Sequence, residues 1–246
     1  MKAFVFPGQG SQFPGMGYDL YKSNDKVKSL FSEADDILGF TLSNVMFNGT
    51  EEELKQTKIT QPAIFLHSIA ELIVLQETHL PNAVAGHSLG EFSSLVANNT
   101  ISFEDGLKLV FLRAKAMQKS CENSNGTMAA ILGLDDKIIK ETCESFDGNV
   151  TAANFNCPGQ VVISGELNAV KMICEKFNEI GARRSILLPV GGAFHSNLMN
   201  DAKSELKEAI HKTKFNNPTC PIYQNFTAQK TTSIDIIKEN LINQLT

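Results

Sequence analysis

The sequence has no block of basic residues and, after a short apolar stretch in residues 1–7, no apolar run of membrane-spanning length. Its formal charge at pH 7 is -5. An acidic chain without a local basic patch has no general attraction to nucleic acid or to anionic lipid. The N-terminal stretch is also too short for a signal peptide. We therefore expect a cytoplasmic protein that has neither nucleic acid nor a membrane as a partner.

The usual sequence patterns of metal and cofactor sites are also missing. The five cysteines form an odd set without C-x-x-C spacing, and no His/Cys cluster has the spacing of a zinc site. The glycines of residues 8–17 match neither G-x-x-x-x-G-K-[ST] nor G-x-G-x-x-G, the common phosphate-binding patterns. The sequence therefore predicts reduced, structural thiols, no metal and no bound cofactor.

Strand and helix patterns alternate in the first half of the chain, which favours a parallel α/β sheet. Residues 3–6 read as a strand, and residues 26–38 carry apolar side chains at helical spacing. A second helix is predicted from about Thr60 to about Thr78, with Pro62 in its first turn. A further strand is predicted at residues 83–85. With 246 residues, 42% of them hydrophobic, the chain can bury the core of one large domain or of two smaller ones.

The pattern changes after residue 125. Strands are predicted at residues 127–134, 150–153, 160–164 and 185–190, and helices at residues 135–145 and 166–180. The order βαββαβ is the ferredoxin-like arrangement. We therefore expect a small domain, residues 126–190, inserted into an α/β domain formed by residues 1–125 and 191–246. A ligand cleft is expected where the two domains meet, because ligand sites favour domain interfaces.

Residues 86–90 read G-H-S-L-G and directly follow a predicted strand. This is the pattern of a nucleophile elbow, a sharp strand-to-helix turn that presents a serine. Glycines on both sides of the serine let the strand and the helix pack closely around it. The motif nominates Ser88 as a nucleophile, and an ordinary turn of the same composition is the alternative.

A serine nucleophile needs a base within hydrogen-bonding reach, and the chain has five histidines. His195 follows a pair of glycines and Phe194 at the end of a predicted strand, between the two predicted domains. It is the candidate base. The other four have simpler explanations within helices, near helix ends or inside the elbow: His67, His79, His87 and His211. A cysteine nucleophile is an alternative, but none of the five has a comparable sequence context.

One arginine is predicted to face the protein interior. Residues 102–105 resemble a capping box and open a helix that we expect to extend to about Lys119. One face of this helix is mostly polar, and the opposite face carries Leu109, Val110 and Met117. Arg113 lies on the apolar face, where an arginine needs a specific partner.

Five motifs occur in the same order as in a known family. They are residues 6–12 with 15–17, residues 86–91, Arg113, residues 154–160 and residues 192–196. Together they resemble the malonyl-CoA:acyl carrier protein transacylases over essentially the whole chain. The resemblance implies an α/β-hydrolase-like large domain with an inserted ferredoxin-like small domain.

The resemblance also implies roles for individual residues. Ser88 would be acylated, and His195 would remove its proton and later activate the incoming thiol. The backbone N–H groups of Gln9 and Leu89 would form the oxyanion hole.

Three further positions would shape the substrate site. Arg113 would bind the free carboxylate of the malonyl group, the alternative being an arginine paired with an internal Glu or Asp. Phe194 would narrow the pocket around the acyl Cα and favour malonyl over methylmalonyl. A backbone carbonyl close to Gln244 would orient His195, in place of the acid that most hydrolases use.

The implied activity is transfer of malonyl from malonyl-CoA to the pantetheine thiol of an acyl carrier protein, for fatty acid synthesis. The alternatives are a polyketide synthase acyltransferase acting in trans, a serine acyl hydrolase, and an inactive or scaffold domain. We expect a stand-alone monomer without a cofactor. Members of the family continue for several tens of residues beyond the position of Thr246, so we expect a large domain that is truncated at its C-terminal end.

Overall fold

Two four-stranded sheets organise the computed structural model, which describes residues 1–76 and 79–246. In chain order the strands are β1 (Ala3–Phe6), β2 (Ala83–Gly86), β3 (Gly126–Leu132), β4 (Val150–Cys157), β5 (Gln160–Glu166), β6 (Arg184–Leu187), β7 (Ile222–Tyr223) and β8 (Lys230–Thr231).

Helices separate most of these strands. They are α1 (Tyr18–Ser23), α2 (Asp25–Leu38), α3 (Leu42–Asn48), α4 (Glu51–Lys55), α5 (Thr57–Gln76), α6 (Gly90–Ala97), α7 (Phe103–Glu122), α8 (Asp136–Ser145), α9 (Leu167–Glu179), α10 (Asn200–Lys212) and α11 (Ile234–Asn243), with a short 3-10 helix at Asn197–Met199.

The chain divides into two compact units. The first comprises Met1–Lys115 and Glu205–Gln244, and the second comprises Ala116–Ser204 and Leu245–Thr246.

The first unit contains the sheet with strand order β1-β2-β7-β8. Strand β2 pairs in parallel with β1 on one side and with β7 on the other, whereas β8 is antiparallel to β7. Parallel neighbours require crossover connections, and the helices between β1 and β2 and between β2 and β7 provide them. The predicted α/β class is confirmed.

The second unit contains an antiparallel sheet with strand order β4-β5-β3-β6. Helices α8 and α9 complete the order βαββαβ, so the ferredoxin-like prediction is confirmed. The unit has its own apolar core, in which Ile131, Ile163, Val170, Ile173 and Phe177 are completely buried.

Helix α5 corrects two expectations. It begins at Thr57, earlier than predicted, because the N–H groups of Ile59 and Thr60 both donate to the carbonyl of Gln56. Pro62 therefore lies inside the helix and not in its first turn. The predicted end at Thr78 lies outside the described residues.

The same helix is long and apolar enough to cross a membrane by length and composition, with a mean hydropathy of 1.3. The expectation that no run reaches this length was therefore wrong. In the structure 61% of this apolar segment is buried inside the protein. It has the burial of a core helix.

Candidate active site

Ser88 lies in the turn between β2 and α6, with a backbone φ of 51°. A positive φ is strained for a residue that carries a Cβ, and such strain is typical of functional turns. The glycines on either side make the turn possible. A Cβ on Gly86 would collide with the backbone of Gly90, and a Cβ on Gly90 would collide with the carbonyl oxygen of Phe6. The structure therefore has the close strand-to-helix packing that the motif predicts.

The loop after β1 lies against this turn. The N–H of His87 donates to the carbonyl of Phe6 at 3.0 Å. A Cβ on Gly8 would lie 2.6 Å from the carbonyl oxygen of His87, so only glycine permits this approach. Gln9 follows directly and is partly buried. Leu89 is the N-cap of α6, and the first N–H groups of a helix have no acceptor within the helix.

Arg113 is 1% exposed on α7, as its place on the apolar face predicted. The helix is fixed at its start by Ser102, whose Oγ accepts from the N–H of Asp105 at 3.0 Å. The guanidinium meets Ser88 directly, since Nη2 donates to Ser88 Oγ at 2.9 Å. Two amide oxygens hold it in place: Gln61 Oε1 lies 2.7 Å from Nη1, and Gln244 Oε1 lies 3.2 Å from Nη2.

No ion pair joins Arg113 to a carboxylate among residues 1–76 and 79–246. Its Nε is buried and has no hydrogen-bond partner in the part of the chain that the structure describes. Burial lowers the pKa of Arg113 to about 10, while the nearby Glu91 acts in the opposite direction. The guanidinium stays protonated at neutral pH. The site therefore presents a positive charge with one donor unused, next to a serine hydroxyl.

Three polar side chains form a hydrogen-bond network beside the backbone of Ser88. Asn225, in the loop after β7, accepts from the Ser88 N–H at 2.7 Å and donates to the carbonyl of Gly86 at 2.6 Å. Gln244, the C-cap of α11, donates through Nε2 to the carbonyl of Ser88 at 3.1 Å. Glu91, on the first turn of α6, accepts from both amides.

Glu91 is completely buried. Burial raises the pKa of its carboxyl to about 7, and the hydrogen bonds from Asn225 and Gln244 and the charge of Arg113 act against this shift. All the contacts that surround the carboxyl come from donors or from a cation, so the ionised form, which predominates above pH 7, accepts every one of these hydrogen bonds.

His195 and Phe194 belong to the second unit, in the turn that precedes the short 3-10 helix. His195 has a φ of 57°, the same left-handed region as Ser88, and Phe194 is 6% exposed. Ser196 closes the turn, since its Oγ donates to the carbonyl of Ala193 at 2.7 Å. The roles predicted for His195 and Phe194 stay predictions.

Comparison with known proteins defines the family. The model of the acyl transferase domain matches residues 3–243. The malonyl CoA-acyl carrier protein transacylase of Bacillus subtilis (strain 168) is 44% identical, over 99% of this chain and 78% of the relative. The chain belongs to the malonyl-CoA:acyl carrier protein transacylase family.

Solved structures of this family have the same fold. An acyl carrier protein S-malonyltransferase from Vibrio cholerae O1 biovar eltor matches with a TM-score of 0.94 and 41% identity, over 99% of this chain and 81% of that one. A second match has a TM-score of 0.94 and 39% identity, over 99% of this chain and 80% of that one. It comes from a complex of a holo type II PKS acyl-carrier protein with its malonyl-transacylase.

Within this transacylase, the structure brings Ser88, Arg113 and Gln244 together in the first unit. It also adds three residues to which sequence analysis gave no role: Gln61, Glu91 and Asn225. The sequence could have indicated Glu91, because it is a charged residue in a helix whose other positions are apolar or small. No sequence pattern distinguishes Gln61 or Asn225 from other polar residues. Among the described residues, no group of three His, Cys, Asp or Glu side chains could hold a metal ion.

Proposed function

We propose that the protein transfers a malonyl group from malonyl-CoA, through an ester on Ser88, to the pantetheine thiol of an acyl carrier protein. The observation that carries the proposal is the contact between Arg113 and Ser88. A buried cation lies 2.9 Å from the hydroxyl, and its Nε–H has no acceptor among the described residues.

Malonyl fits this arrangement because its two ends are close together. The carboxylate carbon is only two bonds from the thioester carbonyl carbon, so an acyl group on Ser88 Oγ keeps its carboxylate beside Arg113. A guanidinium and a carboxylate form charge-assisted hydrogen bonds, which are stronger than neutral ones. An acetyl group leaves the buried charge unpaired, which is costly.

The proposed reaction has two half-reactions. Ser88 Oγ attacks the thioester carbon while His195 takes its proton; the C–S bond breaks, and coenzyme A leaves as a thiol after receiving that proton. The pantetheine thiol then gives its proton to His195 and attacks the Ser88 ester, and the proton returns to Ser88.

The remaining residues have supporting roles in the proposal. The N–H groups of Leu89 and Gln9 would stabilise the oxyanion, a kind of interaction worth ~10²–10³ in rate per donor. Phe194 would narrow the acyl pocket. Gln244 would hold Arg113 through its side chain, and a backbone carbonyl near it would orient His195.

Two pathways can use this transfer. Fatty acid synthesis is the first candidate, because the curated relatives carry the name malonyl CoA-acyl carrier protein transacylase. Supply of malonyl to a polyketide synthase in trans is the second, because one similar structure comes from a complex with a type II PKS acyl-carrier protein. Hydrolysis is disfavoured, since release of acyl groups to water needs no buried guanidinium.

We further propose a monomer that works in the cytoplasm. All residues assigned above belong to one chain, so the proposed chemistry needs no second copy. The five cysteines are free, which suits a reducing compartment.

The test is mass spectrometry of the intact protein after exposure to malonyl-CoA, followed by peptide mapping. We expect one malonyl adduct on Ser88 and none in Ser88→Ala. Ser94→Ala is the matched control, because the Ser94 hydroxyl donates to the helical carbonyl of Gly90 at 3.0 Å and should not affect labelling. A folded wild-type protein that acquires no adduct would overturn the proposal.

A further inference from the structure

The backbone of Ser88 is held from both sides by side chains that come from distant parts of the chain. On one side, Asn225 Oδ1 accepts from the Ser88 N–H at 2.7 Å. On the other side, Gln244 Nε2 donates to the Ser88 carbonyl at 3.1 Å. The peptide groups before and after the serine are therefore both fixed by amide side chains.

The two amides are themselves held by a single carboxylate. Glu91 Oε1 accepts from Asn225 Nδ2 at 2.9 Å and also from the Asn225 backbone N–H. Glu91 Oε2 accepts from Gln244 Nε2 at 2.6 Å. Each oxygen of the carboxylate thus accepts hydrogen bonds from one of the two residues whose side chains contact the Ser88 backbone.

An amide side chain can turn either its oxygen or its nitrogen toward a neighbouring group. The carboxylate of Glu91 selects the nitrogen. A carboxylate only accepts hydrogen bonds, so it requires the NH₂ group of both amides to point toward it. This leaves Asn225 Oδ1 for the Ser88 N–H and Gln244 Oε1 for Arg113 Nη2. The carboxylate of Glu91 therefore favours the amide orientation that both of these contacts need.

This arrangement matters because Ser88 has a φ of 51°, a conformation that surrounding contacts must maintain. We propose that Glu91 is a positioning residue, which orients Asn225 and Gln244 and thereby fixes the Ser88 backbone in its strained turn. The inference rests on the proposed function only in taking Ser88 as the nucleophile. Glu91 does not touch the reacting atoms.

The first experiment measures the nucleophile without malonyl chemistry. A fluorophosphonate probe reacts with an activated serine. Ser88 Oγ loses its proton and bonds to phosphorus, and the P–F bond breaks, so that fluoride and the proton leave as hydrogen fluoride. We expect Glu91→Gln to label roughly 10- to 100-fold more slowly than wild type, the usual cost of a small misplacement at a reacting centre. Glu104→Gln is the matched control, since Glu104 forms an exposed ion pair with Lys108 and should label at the wild-type rate.

A second variant covers the case in which Glu91→Gln does not fold. Asn225 is exposed on its loop, so Asn225→Ala should fold while it removes the contact to the Ser88 N–H. We expect it to slow labelling to a similar extent, and we expect the double variant to be no slower than the slower single one. Unchanged labelling in a folded Asn225→Ala protein, or losses that multiply in the double variant, would overturn the proposal.

Steady-state kinetics separate positioning from a second possible role, that of counter-charge for Arg113. Positioning predicts that Glu91→Gln lowers kcat for malonyl transfer and leaves KM for malonyl-CoA nearly unchanged. A changed KM with an unchanged labelling rate would assign Glu91 to the substrate carboxylate and overturn the proposal. If the wild type reacts with the probe but takes no malonyl, the proposed function fails and the labelling test of Glu91 stands.

Discussion

At the scale of single residues, the proposed malonyl transfer depends most on Arg113. Its charge is buried, and its hydrogen-bond partners among the described residues are amides and the Ser88 hydroxyl. A cation of this kind gains most from a ligand that brings a carboxylate. Its side chain is therefore the part of the site that a change of acyl substrate should affect most.

We expect Arg113→Ala to lower kcat/KM for malonyl-CoA by roughly 10- to 100-fold, the range for loss of a charged hydrogen bond. Hydrolysis or transfer of acetyl should be retained or improved, because a neutral cavity no longer penalises a neutral acyl group. Arg113→Lys should fall between the two, since it keeps the charge and loses the fork of donors. Equal losses for malonyl and acetyl in a coenzyme A release assay would contradict the assigned role.

Sequence analysis could place Arg113 because burial on a helix follows a local period. Leu109, Val110, Arg113 and Met117 share one face, and all are buried. The hydrogen bonds of Arg113 were not predictable, since they join residues that lie 25, 52 and 131 positions away along the chain. No local pattern encodes such pairs.

At the scale of elements, the site depends on how closely β1, β2 and α6 approach one another. The two glycines of the elbow have no room for a side chain, and Gly8 has almost none. The G-x-S-x-G motif is therefore a packing requirement, independently of the chemistry proposed for Ser88. This part of the site could be predicted, because five adjacent residues encode it.

We expect Gly90→Ala to destabilise the protein by more than about 3 kcal/mol, because backbone atoms of Phe6 and Pro7 must move to admit the methyl group. Gly191→Ala is the control: apart from its chain neighbours, no atom of the described residues lies within 4 Å of a Cβ at that position. Urea unfolding followed by circular dichroism measures both. A Gly90→Ala protein as stable as the control would mean that strand and helix can separate without cost.

Hydrogen bonds between elements also help to position the side chains of Asn225 and Gln244. Gln224, next to Asn225, donates to the carbonyl of Ile237 at 3.1 Å and accepts from Asn240 at 3.0 Å. These bonds attach the loop after β7 to α11, the helix that ends beside Gln244. Residues 221–223 read as strand-like in the sequence and include β7. The hydrogen-bond network has no distinctive sequence pattern, so Asn225 was beyond prediction.

At the scale of the whole molecule, a buried carboxyl couples folding to pH. Glu91 binds its proton more tightly in the folded protein, where burial raises its pKa from 4.5 to about 7. Its contribution to folding is therefore greatest below its ordinary pKa and is lost as the pH rises through 7. Arg113 is the charged group that faces it.

We expect this effect to appear in a comparison of wild type with Glu91→Gln, which cannot titrate. Between pH 4.5 and pH 8, the difference in unfolding free energy should shift in favour of the variant by about 3 kcal/mol. Urea unfolding at several pH values measures the difference, in which other titrating groups cancel. A difference that is constant with pH would mean that Glu91 stays in one protonation state.

The overall architecture was the easiest feature to predict. Each strand and helix of the βαββαβ unit has a recognisable hydrophobic pattern and a length typical of its kind. The strand order β4-β5-β3-β6 followed from that topology. The helices α1, α3 and α4 were not predicted, since six, seven and five residues are too few to establish a helical period.

The amides that hold Ser88 lie 137 and 156 positions after it along the chain. Contacts of such separation form late when a protein emerges from the ribosome in order. Strand β2 and helix α6 can already be paired while the turn between them lacks the contacts of Asn225 and Gln244 to its serine. During synthesis, both amides can therefore hold the Ser88 backbone only after Gln244 has been added and has left the exit tunnel, so under the proposed function the serine would become fully positioned last.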